Sequence, residues 1–236
     1  MANVLPPLTT LKRVALDLLF PQWCIGCGRE GGYICGSCRR TLSVISPPIC
    51  PGCGRTQSQG MLCTQCADRQ AEIDGVRSPF LFNGVIRRAV HELKYRNLRA
   101  LASPLAELLH DYLVENQVPG DVLVPVPLHR RRYRERGYNQ SALLARELGR
   151  LSGLPVVENC LVRSSYAPPQ VRSASVGERH DNVAGAFACR DGRLRGRQVI
   201  LIDDVSTSGA TLDTCAGVLK SAGAETVWGL VLALEL

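Results

Sequence analysis

Residues 197–211 read R-Q-V-I-L-I-D-D-V-S-T-S-G-A-T, and no other stretch restricts the fold as tightly. Val199, Ile200, Leu201 and Ile202 form an unbroken apolar run of the kind found in a strand covered on both faces, as in a parallel sheet. The strand is expected to stop at Asp203 and Asp204. After Val205 and Ser206, the small and hydroxyl-bearing residues Thr207, Ser208, Gly209, Ala210 and Thr211 make a turn that opens a helix, because Leu212, Cys215, Ala216 and Leu219 recur at helical spacing. Gly223 suits the C′ position of that helix. A buried strand, a polar loop and a helix in this order place the chain in the α/β class.

A loop at a helix N-terminus leaves several backbone N–H groups without intrahelical partners, aligned with the helix dipole, so a phosphate dianion is its natural ligand. Gly209 lets the backbone approach closely. Asp203 and Asp204 repel such an anion, but they can accept hydrogen bonds from the vicinal hydroxyls of a sugar or hold a divalent metal. Phosphate beside a diol describes a ribose 5-phosphate. Two plainer readings are a Walker-B-like strand and a capped helix without a ligand. A nucleoside triphosphatase needs G-x-x-x-x-G-K-[S/T], whereas the three lysines, Lys12, Lys94 and Lys220, each follow a leucine, which removes the first of these.

The pattern of four apolar residues, Asp-Asp, two further residues and Thr-Ser-Gly-Ala-Thr resembles the 5-phosphoribosyl 1-pyrophosphate (PRPP) motif of type I phosphoribosyltransferases. The resemblance implies that residues 207–211 hold the 5-phosphate and that Asp203 and Asp204 lie under the ribose hydroxyls. It also implies a limit: relatives of the hypoxanthine type carry an acid where Thr207 stands, so this chain lacks their obvious proton-transfer residue.

Eight of the eleven cysteines form four Cys-x-x-Cys pairs, Cys24/Cys27, Cys35/Cys38, Cys50/Cys53 and Cys63/Cys66. Thiolates are preferred zinc ligands, and two such turns close a tetrahedral site. Cys24-Ile-Gly-Cys-Gly-Arg29 recurs as Cys50-Pro-Gly-Cys-Gly-Arg55, each copy followed by a second pair. This repeat assigns Cys24, Cys27, Cys35 and Cys38 to one structural zinc and Cys50, Cys53, Cys63 and Cys66 to another, with a cross-braced arrangement as the alternative. Cys160, Cys189 and Cys215 have no partnered spacing and read as packing residues.

Charge and the N-terminus narrow the partners. Lysines make up only three of the 28 basic residues, and the net charge of +7 suits polyanions such as pyrophosphate, nucleotides or nucleic acid. Within residues 1–20, Lys12, Arg13 and Asp17 interrupt the apolar pattern, which is neither a signal segment nor a transmembrane span. Leu8, Leu11, Val14, Ala15, Leu18 and Leu19 suggest an amphipathic helix, and the expected compartment is the cytoplasm.

From about residue 74 the text becomes that of a larger domain. Residues 76–82 read as a strand ending in an Asn83-Gly84 turn. Residues 85–93 and 103–113 have helical spacing, with Ser103-Pro104 as N-cap and N1 of the second helix. Lys94-Tyr95-Arg96 reads as a solvated helix end. Residues 122–127, V-L-V-P-V-P, make a strand whose prolines mark its end. Arg130, Arg131, Arg132, Arg134 and Arg136 then crowd a loop ahead of a helix capped near Ser141 and closed by Gly153. Ligands of open α/β sheets gather beyond the carboxyl ends of strands, which brings that loop to the rim carrying Asp203. A pyrophosphate group would find guanidinium partners there, and a nucleic-acid surface is the other reading. Residues 161–182, too long for a simple connector, are expected to be a lid or an open surface loop. Residues 226–236 read as a last core strand.

Val-Pro-Val-Pro-Leu, Arg136-Gly137-Tyr138-Asn139-Gln140, the cysteine pairs and the PRPP-like motif together resemble the ComF/GntX family of competence and DNA-utilisation proteins along essentially the whole chain. The resemblance implies that Pro127 and Leu128 face pyrophosphate and that Arg136, Arg163 and Arg179 belong to family signatures at the loop and lid. Ser165 and Ala167 depart from the second signature, which has Arg and Thr there.

The expected architecture is an N-terminal helix (1–22), a double zinc ribbon (23–72) and a type I phosphoribosyltransferase-like α/β domain with a mostly parallel sheet (73–236). The expected activity is transfer of ribose 5-phosphate from PRPP, with Mg²⁺ carried on its pyrophosphate, to an amine or base; no catalytic residue is assigned. The competing expectation is a non-catalytic accessory that engages single-stranded DNA or the DNA-uptake machinery and keeps a regulatory or vestigial PRPP site.

Overall fold

The computed structural model describes residues 22–163, 187–189 and 192–235. The amphipathic helix expected before residue 22, and all but the first three residues of the lid, lie outside that set. The chain divides into two compact units, Met1–Leu42 and Ser43–Leu236.

In the first unit the Cys24 N–H donates to the Arg29 carbonyl (2.8 Å), and the Gly28 N–H returns to Cys24 (2.8 Å). Cys35 then precedes the single turn α1 (Gly36–Arg39). The second unit repeats the arrangement, with Cys50 N–H to the Arg55 carbonyl (2.7 Å), Gly54 N–H to Cys50 (2.9 Å), and Cys63 ahead of the single turn α2 (Thr64–Ala67). The repeat visible in the letters is therefore a repeat of backbone hydrogen bonds.

The larger unit is built on a parallel sheet in the order β1 (Gly75–Arg77), β7 (Thr226–Leu234), β6 (Gln198–Ser206), β3 (Val122–Pro125). The short β2 (Phe80–Leu81) pairs with the far end of β7, also in parallel. The single strand expected over residues 76–82 is thus interrupted at Ser78-Pro79. Proline cannot continue a ladder, and the Ser78 hydroxyl donates to the Phe80 carbonyl instead (3.2 Å). Beyond β2, Asn83 occupies the N-cap position of α3 (Gly84–Tyr95), so the turn expected at Asn83-Gly84 is the entry to the helix that follows.

A 3₁₀ turn (Arg99–Leu101) runs straight into α4 (Ala102–Asn116), which places Ser103 inside the first turn instead of at its cap. After β3 the arginine-rich stretch, expected as a loop, is a helix, α5 (Arg130–Arg136). His129 Nδ1 accepts from the Arg131 N–H (3.2 Å) at one end, and Gly137 in the left-handed region (φ +78°) terminates the other. The next helix, α6 (Gln140–Ser152), is capped by Asn139 rather than Ser141, with Asn139 Oδ1 accepting from the Ser141 N–H (3.1 Å); Gly153 closes it as expected. A two-stranded antiparallel ribbon of β4 (Leu161–Arg163) and β5 (Phe187–Cys189) precedes β6, and α7 (Ala210–Ser221) joins β6 to β7.

Burial follows the strand period. Val199 and Leu201 of β6 join Leu212, Cys215, Ala216 and Leu219 of α7 in one buried cluster, while the alternate residues Ile200 and Ile202 are fully buried on the other side of the strand. Helices α4 and α6 pack against each other, and α6 against β3 and β6. This two-faced burial is what the continuous apolar run at 199–202 requires.

Candidate active site

The strand β6 does not stop at the acidic pair but extends to Ser206, because Asp203 and Val205 still pair with Val231 and Ala233 of β7. The loop of Thr207, Ser208 and Gly209 follows, with Gly209 at φ +75° as the N-cap of α7. The N–H groups of Thr207, Ser208 and Gly209 donate no hydrogen bond within the described residues, whereas the Ala210 N–H is taken by Ser208 Oγ (3.4 Å). Thr207, Ser208 and Thr211 are exposed. Amides without a partner among the described residues, at the N-terminus of a three-turn helix and beside a left-handed glycine, have the arrangement that suits an anion.

The two acids are not equivalent. Asp204 is buried and its Oδ2 lies 2.9 Å from Lys94 Nζ at the end of α3. That oxygen has no aligned hydrogen bond, so its partner acts through charge. The expectation of a solvated end at Lys94 is corrected by this ion pair, while Tyr95 and Arg96 are exposed. Asp203 is half-buried and accepts from the Ser141 hydroxyl (2.7 Å) and from the Asp204 N–H (2.9 Å). Burial first, and then the negative charge of Asp204, push the Asp203 carboxyl up to about 7, against the pull of those hydrogen bonds and of Lys94.

At the end of β3 the Asn139 amide donates to the Val126 carbonyl (2.9 Å) and ties the strand to the start of α6, two residues before Ser141. Beside it opens a cavity of about 530 Å³ whose walls include Pro127, Leu128, Arg130, Tyr133, Asn159 and Arg163. Arg163 lies over the Phe187 ring (5.2 Å). Burial, with Arg132 nearby, holds its guanidinium below the usual range. Arg136 is turned elsewhere, bonded to Gln140 Oε1 and stacked over Tyr95 (5.5 Å). Arg179 lies outside the described residues.

The cysteine sulfurs gather as Cys24, Cys27, Cys35, Cys38 and as Cys50, Cys53, Cys63, Cys66, each set within 4.8 Å, which is the consecutive arrangement. Four Zn–S bonds of about 2.3 Å make a tetrahedron with edges of about 3.8 Å. The Cys27–Cys35 and Cys53–Cys63 contacts are 3.6 Å and 3.8 Å. The Cys35 and Cys63 amides donate to the sulfurs of Cys24 (3.3 Å) and Cys50 (3.4 Å). Burial opposes ionisation of Cys24 and Cys50, but donated backbone N–H groups outweigh it and bring both thiols down to about 6. Burial and the neighbouring cysteines push Cys38 up to about 12. Four thiolates in one knuckle need a cation, and both sets fit structural zinc.

A family model described as a double zinc ribbon domain matches residues 15–67. Competence protein ComFC of Bacillus subtilis is 31% identical over 200 residues, 80% of this chain and 79% of that protein. Competence protein F of Haemophilus influenzae is 30% identical over 85% of this chain and 90% of its own length. The chain belongs to the ComF family. The DNA utilization protein YhgH of Escherichia coli K12 is a further relative, 28% identical over 82% of this chain and 87% of its own.

Solved structures similar to this ComF-family chain include the glutamine PRPP amidotransferase of B. subtilis complexed with ADP and GMP, at 20% identity and a TM-score of 0.39. The match covers 56% of this chain and only 26% of that one. The purine phosphoribosyltransferase of Pyrococcus horikoshii is 18% identical, with a TM-score of 0.35 over 56% of this chain and 70% of that one.

Sequence reasoning missed four residues around the loop of this family member. Ser141 and Lys94 contact the acidic pair, and Arg55 Nη2 and Arg69 Nη1 donate to the carbonyls of Thr207 (2.9 Å) and Ser208 (3.2 Å). Two of them carried a usable signal: Lys94 is one of three lysines in an arginine-rich chain, and Arg55 closes the cysteine repeat. Among the described residues no helix is long and apolar enough to cross a membrane.

Proposed function

We propose that this protein binds PRPP and transfers its ribose 5-phosphate to an amine or base. The observation that carries the reading is the set of unpaired amides at Thr207, Ser208 and Gly209, set beside a half-buried carboxylate at Asp203. In this reading these amides receive the 5-phosphate, and Asp203 accepts from a ribose hydroxyl in its ionised form. Asp204 stays paired with Lys94 and fixes the strand end instead of touching the ligand. The cavity lined by Pro127, Leu128 and Arg163 takes the pyrophosphate, whose departure its cationic wall favours.

The reaction breaks the bond from the anomeric carbon to pyrophosphate, which leaves with the electron pair, and forms a bond to the acceptor nitrogen, which gives up a proton. Magnesium bound to the pyrophosphate would neutralise charge on the leaving group. With Asp204 engaged by Lys94, the acidic pair does not offer two free carboxylates to a cation, which favours Mg²⁺ carried in on the donor.

Titration of PRPP·Mg against the wild type and Asp203→Asn, with a pyrophosphate-release screen over amine and base acceptors, tests the reading. Binding at sub-millimolar PRPP that weakens in the variant is expected. No binding by the wild type at millimolar PRPP refutes it.

A second reading is favoured by α5, where Arg130, Arg131, Arg132 and Arg134 are exposed around Tyr133, itself 52% exposed. Cations with an interleaved aromatic ring suit single-stranded DNA, and the relatives' names concern competence and DNA utilisation. DNA binding that Tyr133→Ala abolishes, in a protein indifferent to PRPP, would decide for a non-catalytic accessory.

A further inference from the structure

The second cysteine knuckle belongs to the same compact unit as the phosphate loop and touches it from the rear. Arg55, the residue that closes the Cys-Pro-Gly-Cys-Gly turn, is fixed at its backbone by the bond from the Cys50 N–H. Its guanidinium bridges two elements, donating through Nη1 to Gln65 Oε1 (3.0 Å), inside the Cys63/Cys66 pair, and through Nη2 to the Thr207 carbonyl (2.9 Å). Arg69, just past the last cysteine, donates through Nη1 to the Ser208 carbonyl (3.2 Å) and through Nη2 to Asp213 Oδ2 (2.9 Å). Asp213 is buried in the first turn of α7 and its Oδ1 accepts from the N–H groups of Glu72 (2.8 Å) and Ile73 (3.1 Å).

These contacts dictate which way the loop's amides face. In a trans peptide the C=O and the following N–H point in opposite directions. Turning the Thr207 and Ser208 carbonyls toward the knuckle therefore turns the Ser208 and Gly209 N–H groups away from it, to the side where an anion would bind. Donation from a guanidinium into each carbonyl also polarises the peptide and strengthens its N–H as a donor.

A cavity of about 430 Å³ is lined by Arg55, Leu62 and Arg69 of the knuckle and by Ser206, Thr207 and Ser208 of the loop. The two arginines that line it reach the loop carbonyls.

We propose that the second cysteine knuckle is a positioning device for the phosphate loop, with Arg55 and Arg69 as the struts that hold two consecutive amides toward the ligand. The proposal rests on the reading of that loop as a phosphate site. Metal at Cys50, Cys53, Cys63 and Cys66 keeps both struts in register, so metal and sugar-phosphate are linked through the loop. Linkage is reciprocal, and a ligand that needs the oriented loop must also tighten metal binding at this knuckle.

The test compares the full-length wild type, Arg55→Ala, Arg55→Lys and the double variant Arg55→Ala/Arg69→Ala, each checked for retention of two zinc ions. Arg55→Ala is the main variant, because removing Arg69 also strips a partner from buried Asp213. Backbone NMR order parameters of Ser208 and Gly209 are expected to fall from about 0.85 to below about 0.6 in Arg55→Ala, with partial recovery in Arg55→Lys. PRPP·Mg affinity, measured by calorimetry, is expected to weaken roughly tenfold in the same variant. PRPP is expected to raise the chelator concentration needed to remove zinc at equilibrium from the wild type and to lose that effect in Arg55→Ala.

Order parameters unchanged in the zinc-loaded variants would overturn the proposal, as would unchanged affinity in a protein that binds PRPP. A wild type that binds no PRPP would instead sink the functional reading, while the order parameters would still decide whether the struts hold the loop.

Discussion

At the scale of single residues, Asp203 is the group whose chemistry depends most on its surroundings. Its carboxyl is pushed up to about 7 by burial and by the charge of Asp204, which lies against Lys94. The folded protein therefore holds a proton that the unfolded chain has released above about pH 4. This contribution to stability is complete below that value and is lost as pH rises through about 7. Ligand binding should run the other way, since the ionised carboxylate accepts a stronger, charge-assisted hydrogen bond from a ribose hydroxyl than the neutral acid does. PRPP affinity is thus expected to rise between pH 6 and pH 8 in calorimetric titrations. Part of such a rise comes from the phosphate itself, whose second ionisation lies near 6. The Asp203→Asn variant separates the two, because it should keep only the phosphate step. An identical pH profile in wild type and variant would remove Asp203 from the binding site.

At the scale of elements, what the sequence disclosed depended on how local the cause was. The strand at 199–202, the helix after the loop and both cysteine knuckles follow from neighbouring residues, and they stand where the letters put them. The helix α5 was hidden because five arginines suggest a solvated loop, whereas a His cap, an Arg131–Glu135 pair (2.8 Å) and a left-handed glycine decide for a helix. Contacts of Lys94 with Asp204, and of Arg55 and Arg69 with the loop, are set by the tertiary fold between segments far apart in sequence. Composition or the repeat can single out Lys94 and Arg55, but no periodicity or motif names their partners.

The cysteine repeat offers an element-scale test, because its two copies share a conformation but not an environment. Gly28 and Gly54 have φ of +71° and +74°, yet an added Cβ at Gly28 meets nothing within 4 Å, while at Gly54 it would lie 2.5 Å from the Val76 carbonyl oxygen. Gly28→Ala should therefore cost only the left-handed strain, about 1 kcal/mol. Gly54→Ala must also displace β1 from the knuckle and should cost at least about 2 kcal/mol more in urea unfolding of the larger unit. Equal costs would mean that Val76 yields freely and that the second knuckle is not pinned to the sheet.

At the scale of the whole molecule, the two knuckles depend on metal to different degrees. Among the described residues of the first unit, the buried apolar side chains are Cys24, Cys38 and Leu42, and two of these are candidate metal ligands. Such a segment has almost no apolar core of its own, so its fold must draw its free energy from metal binding. The second knuckle differs because the Val76 N–H donates to Gly52 (2.7 Å) and Arg77 Nη1 donates to Pro51 (2.9 Å), anchoring it to a sheet with a large apolar core of its own. Elemental analysis is expected to give two zinc ions per chain. Acidification should release them, since protons compete with the metal for the thiolates of each knuckle. Complete chelation should then expose residues 22–42 to limited proteolysis while the sheet of the larger unit keeps a cooperative melting transition. Resistance of residues 22–42 in metal-free protein would show that something other than zinc orders the first knuckle. Loss of the cooperative transition on chelation would show that the second metal supports the sheet as well as the loop it faces.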